Sequence, residues 1–160
     1  MIDKTWLENW YESSDPWKYR SESDDLYRKT FLCNIVNSYN PKKVIDIGCG
    51  EGFVTEGITA DTIHGLELSD KAASRLPSHI KRVLIPEAPY SLVLTAGTLY
   101  KEYDHVQIAN WIYDSKSELV VVAGIKDWLI PYSFGTILEQ HEFDYRGHLR
   151  QQVTVYETST

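Results

Sequence analysis

The apolar positions change period along the chain. Leu26, Phe31, Leu32, Ile35, Val36 and Tyr39 recur at helical spacing, which predicts an amphipathic helix over 24–39 that Pro41 ends. Before it, Ser14-Asp15-Pro16-Trp17 has the chemistry of a turn. From residue 43 the texture becomes that of strands and turns. Val44-Ile45-Asp46-Ile47 is a largely β-branched run ending in Gly48-Cys49-Gly50-Glu51-Gly52. A short helical segment at 53–59, a strand from Ile63 to Leu68 and a helical stretch at 70–76 follow. Then come apolar runs at 83–85 and 91–95, a helix over 104–114 and a wholly apolar strand from Leu119 to Ala123. Apolar runs without alternation suit a parallel sheet buried on both faces. Strands that alternate with helices predict an α/β fold with a doubly wound sheet. The tail reads as a helix near 132–139, then two strands, 142–146 and 149–156, across Gly147. In the second, Gln151, Val153 and Val155 alternate with Gln152, Thr154 and Tyr156, which predicts an antiparallel hairpin at the sheet end.

With 160 residues, 42% of them apolar and 24% charged, the chain is expected to form one globular domain. Its net charge of −7 and pI near 5.2 disfavour nucleic acid as the main partner, because phosphate contacts call for a basic face. Two cysteines, Cys33 and Cys49, read as reduced thiols. No secretory leader or membrane-length apolar run is visible, so a cytoplasmic location is expected. No Cys/His cluster has metal-ligand spacing, so no metal is expected. Aromatics are heavy, with five Trp and eleven Tyr. Trp6, Trp10, Tyr11, Trp17, Tyr19, Tyr27, Phe31 and Tyr39 all fall in the first forty residues. That segment reads as a helical layer on the core, or as an aromatic wall of a ligand pocket.

The chemistry concentrates in the glycine turn. Gly48 permits a tight exit from the strand, Gly50 lets the main chain approach a ligand, and Gly52 allows close packing onto the sheet. The dinucleotide pattern G-x-G-x-x-G fails, since Phe53 stands at its third glycine, and no Gly-Lys-Ser/Thr marks a phosphate loop. Asp46 at the strand end repels phosphate but suits a cationic ligand. Glu67, nineteen residues after Gly48, can accept both hydroxyls of a ribose. These features ask for an adenosine-like ribose with a positively charged, phosphate-free remainder, a description that fits S-adenosylmethionine.

Residues 44–52 resemble the first motif of class I S-adenosylmethionine-dependent methyltransferases. His64-Gly65-Leu66-Glu67-Leu68-Ser69 resembles their second, and Tyr90 to Tyr100 their fourth-strand motif. Asp15-Pro16-Trp17-Lys18-Tyr19 resembles the opening of the nodulation protein S-like small-molecule methyltransferases. The resemblance spans residues 43–157. It implies a Rossmann-like, doubly wound, seven-stranded sheet in three αβα layers, mostly parallel with the antiparallel hairpin at its end. Residues 1–40 would form a helical lid and residues 41–160 the S-adenosylmethionine-binding core. Asp46, Gly48, Cys49, Gly50 and Gly52 would line the methionine end. Glu67 would take the ribose and Leu68 the adenine, while Thr95 and Ala96 would supply main chain near the donor methyl. Trp17 and Tyr19, with Tyr11 and Arg20, would close over the cofactor. The family usually carries an acidic residue after its third strand. Here that segment is clipped, no helix fits before residue 91, and Glu87 is the nearest carboxylate.

For the reaction itself, Tyr100, Asp104 and His105 stand near the exit of the fourth strand, and Tyr100 and His105 are the catalytic candidates. The expected activity is methyl transfer to nitrogen or oxygen of a small polar metabolite, sugar-like or amine-like. The clipped segment motivates a second reading, a non-catalytic S-adenosylmethionine-binding or regulatory protein. A nicotinamide-dependent oxidoreductase is a third, opposed by Phe53.

Overall fold

The computed structural model describes residues 1–159. Seven strands form one sheet in the order β3-β2-β1-β4-β5-β7-β6. They are β1 Lys43–Ile47, β2 Thr62–Leu66, β3 Ile80–Val83, β4 Leu92–Ala96, β5 Leu119–Ile125, β6 Thr136–Tyr145 and β7 Leu149–Glu157. The first five pair in parallel, and β7 runs antiparallel between β5 and β6. Four α-helices accompany them: α1 Lys4–Trp10, α2 Ser23–Ser38, α3 Asp70–Ala73 and α4 His105–Asp114. The order jumps between β1 and β4, so their carboxyl ends open the crevice where doubly wound sheets bind ligands.

Both sheet faces are covered, which is why the central strands are mostly apolar, with Asp46 on β1 and Thr95 on β4 as the buried polar exceptions. Val44, Leu92, Leu94 and Val121 pack against Leu32 and Val36 of α2. Their neighbours Ile45, Ile47, Val93 and Val120 pack on the opposite face against Ile108 and Ile112 of α4. Asp104 caps α4 by accepting from the Gln107 N–H, 3.2 Å.

The structure departs from the sequence expectation at four places. The predicted helix near 132–139 is extended: β6 begins at Thr136, and Ile137 and Leu138 are exposed on the edge strand. Two consecutive apolar residues read as helical there, but pairing with β7 and a register shift between Ile137 and Glu139 decide the matter. The segment at 53–59 is a single 3₁₀ turn, Thr55–Gly57, and 70–76 holds only the one-turn α3. The run at 83–85 is the end of β3 followed by exposed Leu84 and Ile85. No helix lies between β3 and β4.

One buried charge cluster ties α2 to the β6–β7 turn. The Asp25 carboxylate is fully buried and accepts from the Tyr145 hydroxyl (2.7 Å), Arg146 Nη2 (2.6 Å) and Arg28 Nε (3.4 Å). Asp24 adds a bond from the Arg146 backbone N–H, 2.6 Å. A carboxylate can be kept dry only when several donors share it. Asp25→Ala leaves the buried Arg28 without its counter-charge, so it is expected to cost about 3 kcal/mol in urea denaturation. An unchanged midpoint would show that the cluster is dispensable.

Candidate functional site

The turn after β1 is pressed from both sides. The Gly48 N–H donates to the Leu66 carbonyl, 2.8 Å, which holds β1 and β2 together past their ends. Gly48 has φ +77°, and a Cβ there would lie 2.5 Å from Thr98 Cγ2. Gly50 has φ +59°, and its Cβ would meet the Tyr11 hydroxyl at 2.8 Å. Only glycine fits such a position without strain. Gly52 packs toward Leu76 and Pro77, outside the cavity that the turn borders.

That cavity, about 180 Å³, lies over the carboxyl ends of β1, β2 and β4. Asp46, Gly48, Cys49, Gly50, Glu67 and Leu68 line it, and Ala96 closes one end. Trp17 and Tyr19 cover it together with Tyr11 and Arg20. Glu67 is buried and already engaged. Its Oε1 accepts from the Gly50 N–H and its Oε2 from the Ser69 N–H, both at 2.9 Å. A carboxylate offers about four lone-pair sites, so two remain for ligand hydroxyls. Burial raises its pKa, against the pull of those backbone bonds. Asp46 accepts from the Thr55 hydroxyl at 2.7 Å. Burial pushes it up to about 7, with Thr55 and Arg28 opposing. Burial likewise lifts the Cys49 thiol well above its ordinary range, so Cys49 stands as a neutral wall rather than a nucleophile.

A second cavity, about 600 Å³, adjoins the first. Trp17, Tyr19, Arg28, Ala96, Gly97 and Tyr103 border both. Tyr100 lines the second, and its hydroxyl accepts the Ile125 N–H at 2.7 Å. Burial pushes that phenol up to about 12. Burial raises Tyr11, Tyr19 and Tyr103 as well. These four rings therefore stay protonated at neutral pH, as hydrogen-bond donors rather than bases.

Three candidates fall outside both cavities: Gly52, His105 and Thr95. His105 Nδ1 instead hydrogen-bonds the Tyr132 hydroxyl, 2.8 Å, at the head of α4. Thr95 is buried beneath the crevice, where its hydroxyl donates to the Ile47 carbonyl at 3.0 Å and bonds Thr98. Thr95 thus braces the β4 exit, while Ala96 and Gly97 form the wall. Glu87 is exposed, paired with Lys81 at 2.9 Å and away from the first cavity. Among residues the sequence reading left unassigned, Arg28 and Tyr103 matter most. Arg28 is 6% exposed, stands over the Tyr19 ring at 4.8 Å and faces both cavities. Its only sequence signal is a cation on the buried stripe of a helix.

Among the described residues no group of His, Cys, Asp or Glu is arranged to hold a metal ion, and no helix is long and apolar enough to cross a membrane.

The buried Asp46 makes folding stability pH-dependent. Its folded pKa near 7 lies above the unfolded value of ~3.9, so the folded state binds the extra proton between them. That contribution is complete below about pH 4 and lost as pH rises to about 7. Asp46→Asn is expected to flatten this fall in chemical denaturation series at several pH values. An equal slope in both proteins would exclude Asp46 as its source.

No protein-family profile matches the chain. A ubiquinone biosynthesis O-methyltransferase from Nitrosomonas europaea is 31% identical over 74 residues, 45% of this chain. The matched stretch spans only about a third of that protein's length, 31%. The N-methyltransferase NodS from Bradyrhizobium japonicum, solved with S-adenosylhomocysteine, superposes with a TM-score of 0.82 over 98% of both chains at 15% identity. Magnesium protoporphyrin IX methyltransferase from Synechocystis, solved with S-adenosylmethionine, gives 0.71 over 99% of this chain and 98% of that one at 13% identity. A putative RNA methyltransferase from Pyrococcus horikoshii gives 0.63 over 92% and 89% at 13%. The strand order, the C-terminal antiparallel pair and these superpositions together show that the chain has the fold of the class I S-adenosylmethionine-dependent methyltransferases.

Proposed function

We propose that the protein transfers a methyl group from S-adenosylmethionine to nitrogen or oxygen of a small polar metabolite. The observation that carries this reading is the junction of the two cavities at Ala96 and Gly97, with the buried Glu67 at the end of β2. The residues fit the cofactor. A Cβ at Gly48 or Gly50 would fill the cradle, and Glu67 keeps two acceptor sites for ribose hydroxyls. Leu68 offers an apolar wall to the adenine. Asp46 is the buried carboxylate for the ammonium group, and Arg28 the buried cation for the carboxylate.

When bound, S-adenosylmethionine supplies a sulfonium methyl that an acceptor lone pair displaces in line, the S–CH₃ bond breaking as the new bond to nitrogen or oxygen forms and the acceptor then loses a proton. The protein's part is positioning and exclusion of water. Trp17 and Tyr19 cover the junction. The N-terminal segment is fastened over it by the Ile2 N–H, which donates to the Glu102 carbonyl at 2.6 Å. In this reading residues 1–40 act as the lid on a core formed by residues 41–160. Protonated phenols orient the acceptor, and the carboxylates of Glu102 and Asp127, both on the second cavity, are the groups that can take its proton. The net charge of −7 supports a metabolite over nucleic acid. A second reading, cofactor binding without turnover, is favoured by the absence of a carboxylate from the β3–β4 segment at the first cavity.

Calorimetry is expected to detect binding of S-adenosylhomocysteine and S-adenosylmethionine, and failure of both would overturn the proposal. Glu67→Gln should weaken both about tenfold through loss of a charged acceptor. Affinity for S-adenosylmethionine should rise from pH 6 to pH 8, because the ammonium pairs with ionised Asp46, whose proton must leave first. Transfer of labelled methyl to a defined acceptor would eliminate the non-catalytic reading.

A further inference from the structure

One wall of the first cavity is helix α4. Asp104, Gln107, Ile108 and Trp111 all line it, and their spacing of three and four residues puts them on one side of the helix. None of the four lines the second cavity. Among the described residues none from Ser69 to Thr95 lines the first, so β3 and the segment after it give a ligand there nothing to hold. The direction of the ligand follows from the sheet. Arg28 belongs to α2, which packs on one face, and α4 packs on the other. Glu67 stands between them at the end of β2. A cofactor with its carboxylate at Arg28 and its ribose at Glu67 therefore lays its base against α4.

Gln107 carries the free amide of that wall. Asp104 is exposed, and its carboxylate is turned onto the Gln107 N–H as the cap of α4, 3.2 Å. Gln107 itself is half-buried, and its side-chain amide makes no hydrogen bond among the described residues. The unpartnered polar atoms that are closed to water lie in Trp10, Ser117 and Gln151, so the Gln107 amide is open to an approaching group. Ile108 and Leu68 offer apolar surface to the faces of a base. A primary amide gives one hydrogen bond and takes another, which matches the 6-amino and N1 edge of adenine. Turned over, the same amide matches a 6-oxo purine, which gives at N1–H and takes at its oxygen. An ionised carboxylate only accepts, so it could hold the 6-amino group but not the 6-oxo edge.

We propose that Gln107 is the specificity residue that reads the base edge of the cofactor, and that the site takes a 6-oxo purine in place of adenine with little loss. The inference rests on the S-adenosylmethionine reading of the first cavity.

The test is calorimetry on the full chain with S-adenosylhomocysteine and with S-inosylhomocysteine, in which an oxo group replaces the 6-amino group. The wild type is expected to bind the two within about threefold of each other. Gln107→Leu should lose about tenfold for both. Gln107→Glu should shift the ratio of the two affinities about tenfold toward S-adenosylhomocysteine. Glutamate is favoured at the third position of a helix, so this variant is expected to keep its fold and melting temperature. A merely structural role for Gln107 would leave that ratio where it was. Asp104→Asn, which preserves the cap, should leave both affinities unchanged. A wild type that prefers S-adenosylhomocysteine by tenfold or more, a ratio unmoved in Gln107→Glu, or normal binding by Gln107→Leu would each overturn the inference while leaving the cofactor reading intact. Failure of the wild type to bind either molecule would instead strike the cofactor reading itself.

Discussion

The close approach of a bare backbone turn to its neighbours governs the rest of this site. Gly48 and Gly50 are held against Thr98 and Tyr11 at distances where a Cβ could not be accommodated. That turn joins three parts of the chain. Gly48 bonds back to β2 through Leu66, Gly50 donates to Glu67, and Tyr11 comes from the N-terminal segment. A substitution at Gly50 would thus disturb the Glu67 carboxylate and the cover at once.

Burial then decides the charge states around the turn. Asp46, Glu67 and Cys49 are all removed from water, and each is shifted toward its neutral form. The hydrogen bonds that Glu67 accepts and the nearby Arg28 offset part of that cost. Such carboxylates are held in tension: a ligand bearing hydroxyls and an ammonium relieves it, and a phosphate worsens it. The neutral phenols at the cavity junction belong to the same logic. Burial keeps them in the protonated form, so each phenol retains an O–H that can donate.

The aromatic rings of the N-terminal segment form a continuous series of stacked and tilted contacts that runs to the first cavity. Trp6, Trp10, Trp17, Tyr19 and Phe53 follow one another at centroid distances from 4.9 to 5.4 Å and, between Trp17 and Tyr19, 6.1 Å. The Trp17 indole N–H donates to the Tyr11 hydroxyl at 3.1 Å, which locks cover to turn. Asp15 accepts from the Tyr19 N–H at 3.0 Å, so the Asp-Pro-Trp turn sets the placement of the rings. On the other side Asp25 gathers Arg28, Tyr145 and Arg146, fixing the helix that carries Arg28 toward the cavities.

Short-range features of the sequence were enough for the parallel sheet, the glycine turn and the two strand-end carboxylates. Each depends on residues close in the chain: a β-branched run, three glycines, a carboxylate at a fixed distance. They were enough for the C-terminal antiparallel pair as well, though not for where β6 begins. Ile137 and Leu138 look helical in isolation, and only pairing with β7 makes them strand. Long-range contacts alone decided the rest. His105 and Thr95 lie near the right strand in sequence, yet the Tyr132 hydroxyl holds the first and the β4 exit buries the second. Arg28 carries no motif. Its significance comes from distant segments, the β6–β7 turn that holds its counter-charge and the cavities it faces, because burial and ion pairing are properties of packing and not of spacing along the chain.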